Sequence, residues 1–213
     1  MTFATREEAG QKLGHHLADR KVRADLVLGL PRGGVVVAAE VARMLRLPLD
    51  VLVVRKIGHP WHREFAVGAL AENGVVIFDE ASIGPDPRLR AELNEVAAEE
   101  TNRLRDYQNK FHRAVPIARA NKTVIIVDDG LATGATTEVA VKAAQKQQAR
   151  RVIVATPVAS TSAVERLAAV ADDVIALLVD PDFDAVGRYY EEFSQTTDEE
   201  VLSLLRASER VAL

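Results

Sequence analysis

The sequence predicts an α/β fold, a Rossmann-like and mainly parallel sheet flanked by helices. Three observations predict it. Strand-length and helix-length segments alternate along the 213 residues. The strand segments, such as Val124-Ile125-Ile126-Val127, are solid apolar runs, which mark strands covered on both faces. Unusual turns close three of these runs: Pro31-Arg32-Gly33-Gly34, Arg55-Lys56 and residues 128–136. Ligands of open α/β sheets lie at the carboxyl ends of strands, so these turns are the candidates for function.

Each element has its own signal. Residues 5–19 read as a helix opened by a Thr5/Glu8 capping box, with Ala9, Leu13 and Leu17 on one face. Residues 24–30 are a buried strand, 35–45 an Ala-rich helix, and 49–54 a second strand ending at Arg55-Lys56. Gly58, Pro60, Trp61 and His62 suggest a polar, irregular stretch. Residues 65–70 and 74–78 form a candidate strand pair around Glu72-Asn73-Gly74, a hairpin signal. After Gly84, Pro85 and Pro87 a long charged helix runs over 88–113. Residue 123 opens the most β-branched strand, followed by a helix over 135–148, a strand over 151–156 and a capped helix over 162–169. A strand over 174–179 and a helix over 197–207 complete the order. We expect one domain, its core over 21–180 and a small hood built from 1–20 and 181–213.

Composition narrows the function. With no cysteine, the chain has neither disulfides nor a thiolate nucleophile, which fits a reducing compartment. A net charge of −4 argues against nucleic acid as a partner, because a phosphate backbone asks for a basic surface. No apolar run approaches the roughly 20 residues of a membrane span, and the opening residues lack a signal-peptide plan. The expectation is a cytoplasmic protein with no membrane partner.

The segment after residue 127 carries the most chemistry. Asp128 and Asp129 stand where the strand stops. Gly130 and Gly134 permit unusual backbone, and Thr133, Thr136 and Thr137 offer hydroxyls at the start of a helix whose free N–H groups favour an anion. A phosphate fits the Gly/Thr half without any cation. The carboxylates would repel phosphate and suit sugar hydroxyls or a metal. Together the halves describe a sugar phosphate. A Walker A loop is excluded by the short Gly130 to Gly134 spacing and the missing Lys, and a dinucleotide G-x-G-x-x-G pattern is absent.

The run VIIVDDGLATGAT resembles the PRPP-binding motif of type I phosphoribosyltransferases, and its LATGAT half looks most like the uracil form. GLPRGG, VVRKIGHPWHREFAVGAL and DFDAVGRYYEEFSQTTDEEV extend the resemblance to predicted phosphoribosyltransferases over nearly the whole chain. The resemblance implies the type I phosphoribosyltransferase fold and transfer of 5-phosphoribosyl from PRPP to a nitrogen acceptor, with release of pyrophosphate, as in nucleotide salvage. It implies that Asp128 and Asp129 hold ribose hydroxyls, directly or through Mg²⁺ carried by the pyrophosphate. Ala132, Thr133, Gly134, Ala135, Thr136 and Thr137 would bind the 5′-phosphate. Arg32, Gly33 and Gly34 would form the pyrophosphate loop, often marked in this family by an unusual peptide bond, with Arg55 and Lys56 as further cations.

Other readings stay beside these. Arg55-Lys56 also suits a solvated basic pair at a strand end. Residues 59–64 look like the flap of this enzyme class, but His59 and His62 are not assigned to catalysis, and His15-His16 suit solvent. Tyr189 and Tyr190 are candidates for stacking on an acceptor base, or for packing a terminal subdomain. Ala132 stands where purine-salvage members carry an acidic base, which disfavours a purine enzyme of that plan. A uracil-type recognition segment is also missing near residues 180–187, so the acceptor stays open. Two functions remain: a PRPP-dependent transferase, or a regulatory protein that binds PRPP without transfer. The class is commonly dimeric, which suggests a homodimer by analogy alone.

Overall fold

A computed structural model of the chain describes residues 2–72, 74–111 and 117–209. The elements are α1 (Arg6–Asp19), β1 (Leu26–Gly29), α2 (Gly33–Leu45), β2 (Leu49–Val51), β3 (Val54–His59), β4 (His62–Ala71), β5 (Val76–Phe78), α3 (Glu80–Ile83) and α4 (Pro87–Phe111). They continue with β6 (Thr123–Val127), α5 (Ala135–Lys146), β7 (Arg151–Ser160), α6 (Thr161–Ala168), β8 (Asp173–Asp180), a 3-10 turn (Val186–Tyr189) and α7 (Asp198–Glu209). Five strands form a wholly parallel sheet in the order β2-β1-β6-β7-β8. The predicted α/β class is the observed one. Among the described residues, no helix is long and apolar enough to cross a membrane.

The solid apolar runs behave as covered strands should. Val27, Ile125, Val127, Ile153 and Ala155 point to one face, against α1, α2, α4 and α7. Their neighbours Leu26, Leu28, Val124, Ile126, Val152 and Val154 point to the other, against α5 and α6. Period-two alternation thus divides each run between two cores.

Several boundaries differ from the sequence reading; β7 runs on to Ser160, past the expected 156, and two others also matter for the site. The strand expected over 49–54 stops at Val51, and the chain then enters a separate antiparallel sheet, β3-β4-β5. Leu52 N–H still bonds the Gly29 carbonyl, but Val53 N–H turns to the Glu72 carboxylate. Residues 58–62, expected to be irregular, belong to the β3-β4 ribbon, which runs from Val54 paired with Ala71 to His59 paired with His62. Pro60 and Trp61 make its turn. β4 and β5 pair as the hairpin signal implied; Asn73 lies outside the described residues, as does the expected end of the long helix at Arg113. The second boundary is α2, which begins at Gly33, so the glycine pair forms its first turn.

A buried clasp fastens the ribbon to the sheet. Arg119, 5% exposed, donates to Glu72 Oε1 (2.7 Å), Gln147 Oε1 (2.6 Å) and the Val51 carbonyl (2.9 Å), and it stands 3.9 Å from Asp50. The guanidinium therefore joins β2, the end of β4 and the end of α5. Taking one partner from a buried ion network leaves charge behind in a poorly solvated place. Arg119→Met should cost about 3 kcal/mol, read as a lower denaturant midpoint.

Candidate functional site

The site grows from a step in the sheet edge. β6 stops at Val127, opposite Ala155, while β7 continues to Ser160. The overhang receives the loop after β6. Leu131 N–H bonds the Val158 carbonyl and Ser160 N–H bonds the Leu131 carbonyl, both at 2.9 Å. Ser160 Oγ donates to the Ala132 carbonyl (2.5 Å), and Thr156 Oγ1 donates to the Asp128 carbonyl (3.3 Å). Ser160 also caps α6 by accepting from Ala163 N–H (2.9 Å). The loop backbone is held from below, which leaves its upper side for a ligand.

Asp128 and Asp129 stand together at the top of this step. Asp128 Oδ1 accepts from Asp129 N–H (3.0 Å). Asp129 Oδ2 accepts from Arg6 Nε (2.7 Å), and the Asp129 carbonyl accepts from Tyr190 Oη (2.6 Å). Burial, reinforced by the charge of Asp129, lifts the Asp128 carboxyl well above the ordinary range, against the pull of Lys56 and Arg6. Burial raises Asp129 too, while its bond to Arg6 acts in the opposite sense.

The glycine pair meets the acid pair directly. A Cβ on Gly33 would lie 2.1 Å from Asp129 Oδ2, and one on Gly34 would lie 2.9 Å from Asp128 Oδ1. No side chain fits at either position. The Pro31–Arg32 peptide bond, at the point where the family resemblance implies an unusual one, is cis. α2 starts at Gly33 without a side-chain cap, and α5 starts the same way after Gly134, whose φ of 71° is the left-handed conformation that glycine tolerates. Two helix starts whose N-cap residues make no side-chain bond thus flank two carboxylates, although Ala135 N–H makes a long bond to Thr133 Oγ1 (3.4 Å).

The other predicted residues are distributed as follows. Ala132 and Thr133 are exposed, Ala135 and Thr136 are half-buried, and Thr137 is 1% exposed, packed within α5. Arg55 and Lys56 share one cavity beside α4 but differ in their other contacts. Arg55 turns to α4, bonding Glu100 (2.5 Å) and lying over Tyr107. Lys56 lines a cavity of about 500 Å³ with Thr133, Thr136 and Phe78. The Arg32 guanidinium lies 3.7 Å from Asp198 of α7, which also binds Lys110 Nζ (2.5 Å).

Tyr189 and Tyr190 are buried with Phe3, Ala9 and Val158 in a small third core. Tyr189 stacks on Phe183 and donates to Asp180; Tyr190 stacks on Phe193. His59 and His62 meet near the ribbon turn, beside the exposed Trp61. Among the described residues, no three His, Cys, Asp or Glu side chains gather to hold a metal.

Sequence reasoning missed two cations. Arg6 reaches Asp129 across 123 residues of chain. Arg166 of α6 donates to the Thr133 carbonyl (3.2 Å) and pairs with Glu138 (3.3 Å), which also holds Lys142. Neither lies in a motif, so no local signal could have identified them.

The raised carboxyls yield a stability test. A carboxyl whose folded pKa exceeds its unfolded value destabilises the fold increasingly as pH rises between the two, and fully above the folded value. Asp128→Asn removes that penalty. The variant should melt above the wild type at about pH 8, with the difference closing toward about pH 4. Calorimetric melts across that range measure it.

Known proteins resemble this chain in sequence and fold. The phosphoribosyl transferase domain model matches residues 5–190. Two Mycobacterium tuberculosis proteins, named only provisionally as phosphoribosyl transferases, are 39% identical over 211 residues, covering 98% of this chain and 47% of theirs. The chain therefore spans about half the length of the curated relatives it matches. The crystal structure of TT1426 from Thermus thermophilus superposes with a TM-score of 0.81 at 46% identity, covering 96% of this chain and 98% of that one. The AQ2163 protein from Aquifex aeolicus, 13% identical with a TM-score of 0.51 over 85% of this chain and 78% of its own, shares the fold alone. With a family model covering most of its length, this chain belongs to the phosphoribosyl transferase domain family.

Proposed function

We propose that the chain transfers the 5-phosphoribosyl group of PRPP to a nitrogen acceptor and releases pyrophosphate. The observation that carries this reading is the pair of uncapped helix starts, at Gly33 and Ala135, on either side of two adjacent carboxylates. A ligand with an anion at each end and hydroxyls between them matches that order. The 5′-phosphate takes the N–H groups and hydroxyls from Ala132 to Thr136, and pyrophosphate takes the backbone of Arg32, Gly33 and Gly34. Asp128 and Asp129 accept from the ribose hydroxyls. The burial of Thr137 argues that it contributes its backbone rather than its hydroxyl.

The reaction asks mainly for positioning and charge stabilisation. The acceptor nitrogen's lone pair forms the new bond to C1 as the C1–O bond breaks, and the electron pair leaves with pyrophosphate. Charge building on that group is met by the start of α2 and by Lys56, the member of the basic pair on the loop side of its strand. Magnesium suits the hard oxygen donors of the acid pair, and when bound with pyrophosphate it would neutralise part of the leaving group's charge. Asp128, whose carboxylate lies against Gly34, is the residue best set to approach it through water.

A PRPP-binding protein without transfer is the second reading. It draws on Ala132, an exposed methyl where a base would stand in a purine enzyme.

Two experiments test these statements. Calorimetric titration with PRPP and Mg²⁺ should show binding that Asp128→Asn and Asp129→Asn each weaken at least about tenfold; unchanged affinity in both removes the sugar assignment. A panel of heterocyclic bases, assayed for pyrophosphate release, should find one that supports turnover, whereas tight PRPP binding with no release favours the second reading. The differing contacts of Arg55 and Lys56 add a contrast. Lys56→Met should weaken PRPP binding about tenfold, while Arg55→Met should cost about 2 kcal/mol of stability with little change in affinity.

A further inference from the structure

Arg6 is the first residue of α1, and its guanidinium meets three separate parts of the chain. Nε donates to Asp129 Oδ2 (2.7 Å), and Nη1 donates to the Ser194 carbonyl (2.8 Å). The guanidinium carbon lies 3.9 Å above the Phe193 ring centre and 5.9 Å from that of Tyr190. The side chains of Arg6 and Asp129 are only 11% and 15% exposed, so this pair is sheltered from water and differs from an ordinary surface ion pair.

The pair also lies against the start of α2. A Cβ on Gly33 would stand 2.7 Å from Arg6 Nε as well as 2.1 Å from Asp129 Oδ2. The acid pair, the candidate pyrophosphate loop, the N-terminal helix and the segment after Tyr190 therefore converge on one guanidinium. Tyr190 strengthens the same junction by donating to the Asp129 carbonyl, and Phe3 pairs in parallel with Tyr190 beside it.

We propose that Arg6 is a positioning residue for the sugar-binding acid pair, fixing the Asp129 carboxylate for a ribose hydroxyl and locking the terminal segments over the site. This rests on the reading of Asp129 as a ribose-binding residue. The charged and titratable groups around this carboxylate are Arg6 from α1, Asp128 from the end of β6 and the Tyr190 hydroxyl. Of these, Arg6 alone bonds the Asp129 carboxylate among the described residues. An arginine at this position does what a lysine cannot, since its planar fork spans a carboxylate and a carbonyl while its face lies on a ring.

The test is binding of PRPP and of inorganic pyrophosphate, each by calorimetry with Mg²⁺, on the wild type, Arg6→Gln and Arg6→Lys, with thermal melts of each. In Arg6→Gln, affinity for PRPP should fall about tenfold, while affinity for pyrophosphate, which carries no ribose, should change little. Arg6→Lys should recover part of the loss for PRPP. Wild-type PRPP affinity in Arg6→Gln overturns the proposal. So does an equal loss for PRPP and for pyrophosphate, which marks a merely structural tie. If Arg6→Gln does not fold, Arg6→Lys decides: reduced PRPP affinity is expected, and unchanged affinity overturns the proposal. A wild-type chain that does not bind PRPP overturns the proposed function itself, and this inference with it.

Discussion

The partial burial of two adjacent carboxylates at the end of β6 is the constraint on which the rest of the site depends. Charges taken from water must find partners or lose their ionisation. Asp129 finds Arg6, and Asp128 turns to its neighbour's N–H and lies against Gly34. Each partner comes from a different part of the chain, so the pair can exist only in the completed fold. The glycines of α2 follow from the same constraint. Any Cβ on Gly33 would overlap the Asp129 carboxylate at 2.1 Å, and the loop would be forced away from the acids.

The two sheets divide the work. The parallel sheet supplies a rigid edge, and the unequal lengths of β6 and β7 cut a step into it that seats the loop after β6. The antiparallel ribbon supplies a wall that carries Lys56 toward the loop and Arg55 toward α4. Arg119 ties wall to edge through a buried network with Glu72, Gln147 and the Val51 carbonyl. A cleft between two sheets suits a reaction that needs accurate placement of a sugar phosphate and little covalent help.

Much of this was legible residue by residue. Solid apolar runs such as Val124-Ile125-Ile126-Val127 announced covered strands, and the β-branched filling made them strands rather than helices. Asp128-Asp129-Gly130 and Thr133-Gly134 marked a turn with room for a ligand. The ribbon was not legible. Gly58, His59, Pro60, Trp61, His62 and Arg63 show neither period two nor period 3.6, since a two-sided ribbon tip has no single buried face. Arg55 and Lys56 read as one basic pair because adjacency in sequence hides the different contacts that each makes. Tyr189 and Tyr190 suited either stacking on a base or packing a terminal subdomain, and their rings pack into a core with Phe3 that only chain closure creates.

The sequence by itself determined the α/β class, the parallel strands, and the local chemistry of the loop after β6. These depend on contacts within a few residues, where backbone conformation and apolar patterning act directly. Only the tertiary structure decided that Gly33 and Gly34 press on the acids, that Lys56 rather than Arg55 lines the cavity beside Thr133 and Thr136, and that Arg6 holds Asp129. Those outcomes depend on long-range closure, in which a side chain's partner is set by topology and not by its neighbours in the chain. The loop after β6 could be read from its own residues; the guanidinium that secures it comes from the first turn of α1, 123 residues away.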